Sequence, residues 1–312
     1  MTFDNMGAAA TMKTVASLAG AFAALAILAQ PALAQDGGVA TDLPGELPNR
    51  VPLDPYADNA YSSDYLSIGI GAAYNPSYSG SDDYVISVLP VIQASYKGID
   101  ITPRAGGLTV DFIDDPATGI GFDAGVSARV RSTRAMQLKD PVVQAIGELD
   151  RAIEVGPAVG ISLPGVFNPY DSISIGVDAL WDVAGAHDGM VASPGISYFT
   201  PLNEGMAAAI SFSAEYTDGD FNDYYYGVTP VQSAASGGVL PVFDPDGGSF
   251  TQAGVNLVVG FDLDGNLANG GFGIVLLGGY SRMLGDAKRT PFTSVIGSAD
   301  QWLAAVGVGY TF

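Results

Sequence analysis

Hydrophobic and polar residues alternate one by one along most of this chain, most cleanly at its end. From residue 301 to 312, Trp302, Ala304, Val306, Val308, Tyr310 and Phe312 fall on one side of a two-residue period. Gln301, Leu303, Ala305, Gly307, Gly309 and Thr311 fall on the other, which is the signature of a strand. At about 3.3 Å per residue, Trp302 and Phe312 stand roughly 33 Å apart along it, or about 25 Å in height at the ~40° tilt of a membrane barrel. That height matches a barrel's apolar band with an aromatic residue at each interface.

The same period recurs from Tyr65 onward. It predicts about twelve strands, within a range of roughly ten to fourteen, near 65–74, 84–97, 99–113, 119–131, 153–163, 171–183, 189–200, 206–217, 223–229, 250–263, 271–282 and 301–312. In the fourth, Ile120, Phe122, Ala124, Val126, Ala128 and Val130 oppose Gly121, Asp123, Ser127, Arg129 and Arg131. In the sixth, Ile173, Ile175, Val177, Ala179 and Trp181 oppose Ser172, Ser174, Asp178 and Asp182. Charge keeps to one face, as a polar lumen inside an apolar exterior requires. A water-soluble β-sandwich or lipocalin-like barrel would alternate too, with its apolar face inward. Periodicity alone does not separate the two.

The N-terminus bears on that choice. Lys13 precedes an Ala- and Leu-rich run from Val15 to Ala29, which closes on Pro31, Ala32, Leu33 and Ala34. This is the order of a secretory signal peptide, with residues 1–34 removed by cleavage after Ala34. Residues 35–60 are rich in Pro, Asp and Gly and read as an extended tail, leaving 61–312 for the barrel. The expected fold is therefore all-β: a transmembrane antiparallel barrel behind a cleavable signal peptide, located in a cell's outer membrane.

Composition agrees. Only 14% of the 312 residues are charged and 48% are hydrophobic, yet beyond the N-terminus no stretch of about 18 apolar residues offers a helical span. With 12 Lys and Arg against a net charge of −21, nucleic acid is an unsuitable partner. If the last strand ends in the periplasm, alternation puts 230–249 and 283–300 outside the cell and the turn 264–270 inside. The same count makes 133–152 a long periplasmic connection. Asp140 and Pro141 form an N-cap and first-turn pair there, and Val142, Val143, Ile146 and Leu149 have the spacing of a short helix.

Candidate chemistry is sparse. The single histidine, His187, stands beside Asp188 and would need a lumen serine to form a hydrolytic triad; a turn residue between Gly185 and Gly189 is the simpler reading. Asp82 with Asp83, Asp114 with Asp115, the group Asp218, Asp220 and Asp223, and Asp244 with Asp246 lack the ordered spacing of a calcium loop and read as solvated turns. Arg129 and Arg131, near Arg134, either line an anion-selective constriction or pair with lumen acids such as Glu154 or Asp178 and close it. Glycines recur on the presumed lumen side at 121, 125, 156, 160, 273, 279, 307 and 309, either leaving space for a folded-in loop or the N-terminal tail or serving strand coiling at a tightly curved wall, the simpler reading. No catalytic, cofactor-binding or metal-ligating set is expected.

Two stretches carry a family resemblance. Gly69 to Tyr84, including Pro76, Tyr78, Gly80 and Ser81 and followed by Leu89 and Pro90, resembles the opening motif of the MipA/OmpV family, the MltA-interacting proteins. Tyr280, Arg282, Leu284, Gly285 and Asp286, then Gly297, Ser298 and Gln301, and finally Phe312, are similar to its closing motif. Lys288 and Arg289 depart from the acidic or small pair expected there. The resemblance implies an outer-membrane barrel in contact with lipid and lipopolysaccharide, its aromatic end read by the barrel assembly machinery. It also implies a non-enzymatic scaffold for a murein hydrolase and a murein synthase, docked through 133–152 and the 35–60 tail. A small-solute channel and a surface adhesin acting through 230–249 and 283–300 are the alternatives.

Overall fold

The computed structural model describes residue 60, residues 64–113 and residues 119–312; the expected signal peptide at 1–34 and nearly all of the expected 35–60 tail lie outside the described residues. Twelve antiparallel strands close into a barrel: β1 (Tyr65–Pro76), β2 (Tyr84–Tyr96), β3 (Ile99–Arg104), β4 (Gly107–Asp111), β5 (Gly121–Arg131), β6 (Ala152–Pro164), β7 (Ser172–Asp182), β8 (Met190–Asn203), β9 (Met206–Thr217), β10 (Ser249–Asp262), β11 (Gly271–Met283) and β12 (Asp300–Thr311). Sequence neighbours pair throughout. The closing strand β12 pairs with β1 from Ser67↔Thr311 to Tyr74↔Ala304.

Burial answers the question that periodicity leaves open. Ile70, Ile86, Phe122, Phe212, Leu257, Trp302 and Phe312 are exposed, while Ser67, Ser127, Glu154, Ser174, Ser211 and Gln301 are buried. A water-soluble barrel would show the reverse. Apolar residues outside and polar ones within are the arrangement of a barrel whose solvent is lipid.

The count of twelve is reached through two departures that cancel. The predicted strand 99–113 is two short strands, β3 and β4, divided by a turn in which Gly106 adopts φ +70°. The predicted strand 223–229 is instead largely helix α2, since Gly219–Tyr226 is helical and precedes the short helix α3 (Pro230–Ala235). The Asp218 carboxylate accepts from the Phe221 N–H at 3.1 Å and starts α2. Its tyrosines favour strands locally, but burying Phe221, Asn222, Tyr225 and Tyr226 overrides that preference.

One strand gained before residue 133 and one lost after 217 reverse the polarity of everything between. Residues 132–151 therefore emerge at the same end as 183–189, 218–248 and 284–299, opposite the C-terminus, and not at the expected periplasmic face. The short helix expected behind Asp140 is present there as α1 (Pro141–Ile146), with Asp140 accepting from the Val142 N–H at 2.7 Å.

These long connections form a cap over one end of the barrel, together with α4 (Gly285–Arg289) and α5 (Pro291–Ser294). Tyr78, Leu138, Val143, Val228, Leu240 and Phe292 make one apolar cluster in it. Val191, Phe221, Tyr225, Tyr226, Met283 and Ala287 make another, seated in the barrel mouth.

Candidate functional site

Alternation along β5, β6 and β9 turns Arg129, Arg131, Glu154 and Glu215 toward a common point inside the barrel, just below the cap. Glu154, wholly buried, accepts from Nε of both Arg129 and Arg131, the latter at 2.6 Å. Arg131 also reaches Glu215 at 2.9 Å, and Arg129 lies 3.5 Å from the same carboxylate. His187 comes in from the 183–189 connection with Nε2 3.1 Å from Glu154, and its Nδ1 accepts from the Gly189 N–H at 3.0 Å. Two guanidinium groups thus face two carboxylates in a buried site, a charge-balanced arrangement in which each group offsets its partner's desolvation.

Helix α2 roofs this cluster. The Arg131 guanidinium lies 4.9 Å from the Phe221 ring centroid, and the His187 ring meets Phe221 edge-on at 5.0 Å. Above them Arg134 is buried, donating to the Tyr225 carbonyl at 3.0 Å and stacking 3.8 Å from the Phe292 ring. Burial lowers its pKa to about 10. Deeper in the lumen Asp178 pairs with Arg104 at 3.1 Å rather than joining Glu154, and it also accepts from Ser127 Oγ at 3.2 Å.

The residues of the opening and closing motifs, some two hundred positions apart in sequence, meet above the β1–β12 seam. Ser81 bridges to Gly297; the Ser298 N–H donates to the Gly80 carbonyl at 2.8 Å, and Gln301 Nε2 donates to the Ser81 carbonyl at 3.1 Å. Gly80 has φ +94°, and a Cβ there would collide with Thr293 Oγ1. Tyr78 is fully buried beneath Phe292. On the outer surface Tyr280 and Arg282 both donate to Asp300, at 2.6 and 2.9 Å. Asp286 holds Arg289, one of the two residues that depart from the family pattern, and accepts from the Asp246 N–H. Pro76 ends β1 and Leu284 precedes α4, where Gly285 has φ +48°. The two motifs lock the cap onto the place where the barrel closes.

The family model for the MltA-interacting protein MipA matches residues 68–312, which contain both motifs. The chain belongs to the MipA family. Among solved structures, this MipA-family barrel is similar to the outer-membrane-expressed OmpT of Vibrio cholerae, at 7% identity over 80% of this chain and 97% of that one, with a TM-score of 0.35. It is also similar to the Pseudomonas putida toluene transporter TodX, at 9% identity over 89% and 98% of the two chains, with a TM-score of 0.37. A Pseudomonas aeruginosa FadL homologue matches at 10% identity over 90% and 98%, with a TM-score of 0.31. No curated protein matches the sequence.

The remaining sequence candidates separate in space. His187 stands in the bend between β7 and β8, two residues after Gly185 at φ +77°, and its ring is buried in the ionic cluster, where Glu154 and the Gly189 amide engage its nitrogens. Asp218 caps α2 and also accepts from the Met190 N–H at 2.8 Å. Among the described residues no group of three or more acidic or histidine side chains is arranged to hold a metal ion. Glu215, Arg104 and the aromatic roof of α2 escaped sequence reasoning. Glu215 was visible only as the one charge on the polar face of its strand, and α2 only as an Asp218 N-cap ahead of Phe221.

Proposed function

We propose that this outer-membrane barrel does not conduct and works as a docking protein, presenting its C-terminal, periplasmic end to peptidoglycan-remodelling enzymes, a murein hydrolase and a murein synthase. The observation that supports this reading is the buried Arg129–Arg131–Glu154–Glu215 cluster under α2, which occupies the path a solute would take through the barrel mouth. The family's description, MltA-interacting protein, supports the class of partner. Residues 132–151 belong to the opposite end, so the docking surface is assigned to the short connections beside the C-terminus. Phe167 is 76% exposed there, between the exposed Val166 and Tyr170. The reading makes the protein a non-enzyme.

The test is capture of a purified membrane-bound lytic transglycosylase by the refolded barrel in vesicles, paired with planar-bilayer recordings. Capture lost in Phe167→Asp, together with an absence of conductance, supports docking. Steady conductance in the wild-type protein would overturn it in favour of a channel, and capture lost only on exchange of 230–249 would move the partner surface to the cap.

A further inference from the structure

At the C-terminal end of the barrel the turns of the β8–β9 and β10–β11 hairpins are bound to each other through their backbones. The Asp262 N–H donates to the Gly205 carbonyl at 2.9 Å, and the Leu267 N–H donates to the Glu204 carbonyl at 2.8 Å. Gly205 permits this approach, since a Cβ there would stand 2.8 Å from Gly265 Cα. Where the turns meet, Asn203, Glu204, Met206, Phe261, Asp262 and Gly265 line a groove of about 670 Å³, a size suited to a small molecule or a head group.

The groove faces outward. Met206 and Phe261 pair directly across β9 and β10, and they lie on the same strand faces as the exposed Ile210, Phe212 and Leu257. Leu202 and Leu263, next in sequence to Asn203 and Asp262, are 53% and 58% exposed. An aromatic band marks the membrane interface of a barrel. At this end it runs through Phe272, Tyr310 and Phe312, in edge contact at 4.7 Å, and resumes at Tyr198 on β8. The groove fills the stretch of rim between them.

Its polar side is anionic. The Asp262 carboxylate is spent on its own turn, with Oδ1 accepting from the amides of Asp264, Gly265 and Asn266. Glu204 is exposed, and its side chain makes no hydrogen bond or ion pair among the described residues. Asn203 Oδ1 accepts from the Gly205 N–H at 3.0 Å, which leaves its Nδ2 to donate. Among the described residues the only basic side chain at this end is Lys97, on the β2–β3 turn across the barrel. An occupant of net negative charge would meet two carboxylates and no cation. The outward aim, level with the aromatic band, suits a lipid better than the lysine of a partner protein.

We propose that this groove holds a phospholipid with a primary ammonium head group, phosphatidylethanolamine, from the leaflet at the C-terminal end. The ammonium donates to Glu204, Asn203 Nδ2 donates to the phosphate, and an acyl chain lies on Met206 and Phe261 beside Leu202. The site is independent of docking by a protein partner at the same end.

The test is native mass spectrometry of the refolded barrel with dioleoyl-phosphatidylethanolamine, dioleoyl-phosphatidylcholine or dioleoyl-phosphatidylglycerol. The choline lipid has the same phosphate and chains but no ammonium N–H, and the glycerol lipid carries net negative charge. One retained phosphatidylethanolamine per barrel is expected, bound about fivefold more tightly than phosphatidylcholine, as suits a single exposed ionic contact. Glu204→Gln should erase that preference, and it should refold like the wild type because the carboxylate holds nothing else in place. Met206→Asn should weaken both lipids and leave their ratio unchanged. The site is refuted if the three lipids bind alike to the wild type, if phosphatidylglycerol binds best, or if Glu204→Gln keeps the preference. Absence of lipid preference together with loss of transglycosylase capture in Glu204→Gln would assign the groove to a protein instead.

Discussion

Replacing Glu154 by alanine tests whether the ionic cluster holds the mouth shut. In the native barrel this side chain is fully buried and contacts Arg129, Arg131 and His187. Its removal leaves two buried guanidinium groups to share Glu215, which already lies 2.9 Å from Arg131 and 3.5 Å from Arg129. Breaking a buried ion pair from one side costs about 3–5 kcal/mol, mostly the desolvation of the abandoned charge. Urea unfolding of the refolded barrel should show a loss of that size, and planar bilayers should show conductance absent in the wild type, as Arg131 releases Phe221 and α2 lifts. Arg131→Ala in the Glu154→Ala background should restore part of the loss, because charge balance returns. A loss below about 1 kcal/mol with no coupling between the two sites would mean that the cluster is solvated and does not seal the lumen.

Gly80→Ala should loosen the cap, since the added Cβ meets Thr293 Oγ1 at a backbone φ of +94°. Strain of this kind costs about 1–3 kcal/mol and is read as faster proteolysis of residues 284–299 with the strands still protected. Burial raises the pKa of Tyr78, so above about pH 10 the unfolded chain releases a proton that the folded cap retains, and stability falls as pH rises. Tyr78→Phe should flatten that alkaline limb, and an unchanged slope would remove Tyr78 from the account. Partial desolvation and the neighbouring carboxylates of Asp244, Asp220 and Asp286 raise the pKa of Asp223. Asp223→Asn should therefore stabilise the cap at neutral pH, lose its advantage on acidification below the unfolded value, and shrink in high salt, as urea midpoints across a pH series would show. Asp218→Ala should cost about 1 kcal/mol through the lost N-cap of α2, and should admit small thiol reagents to a cysteine placed at Ser213.

Much of the barrel was legible before any coordinates because strands announce themselves locally. Trp302 to Phe312 needed only the two-residue period, and Glu154 lies directly across the β5–β6 pair from Arg129. The misreadings have equally local causes. Residues 99–113 alternate through the Gly106 turn as if it were absent, and Tyr224 to Tyr226 carry a strand preference that a buried helix overrules. Each error moved the count by one strand, so the total survived while the side assigned to 133–152 did not.

The sequence by itself determined a strand-built barrel, its closing strand, its family and the confinement of charge to one face of each strand. Those rest on periodicity, composition and contiguous motifs, which are properties of neighbours in the chain. Only the tertiary structure decided that the polar face of the strands points inward, that Glu215 joins Arg131, that α2 roofs the mouth and that Ser81 meets Gly297. These meetings depend on register and loop closure, where one residue of slip or one miscounted strand sends a side chain to the other face or a loop to the other end.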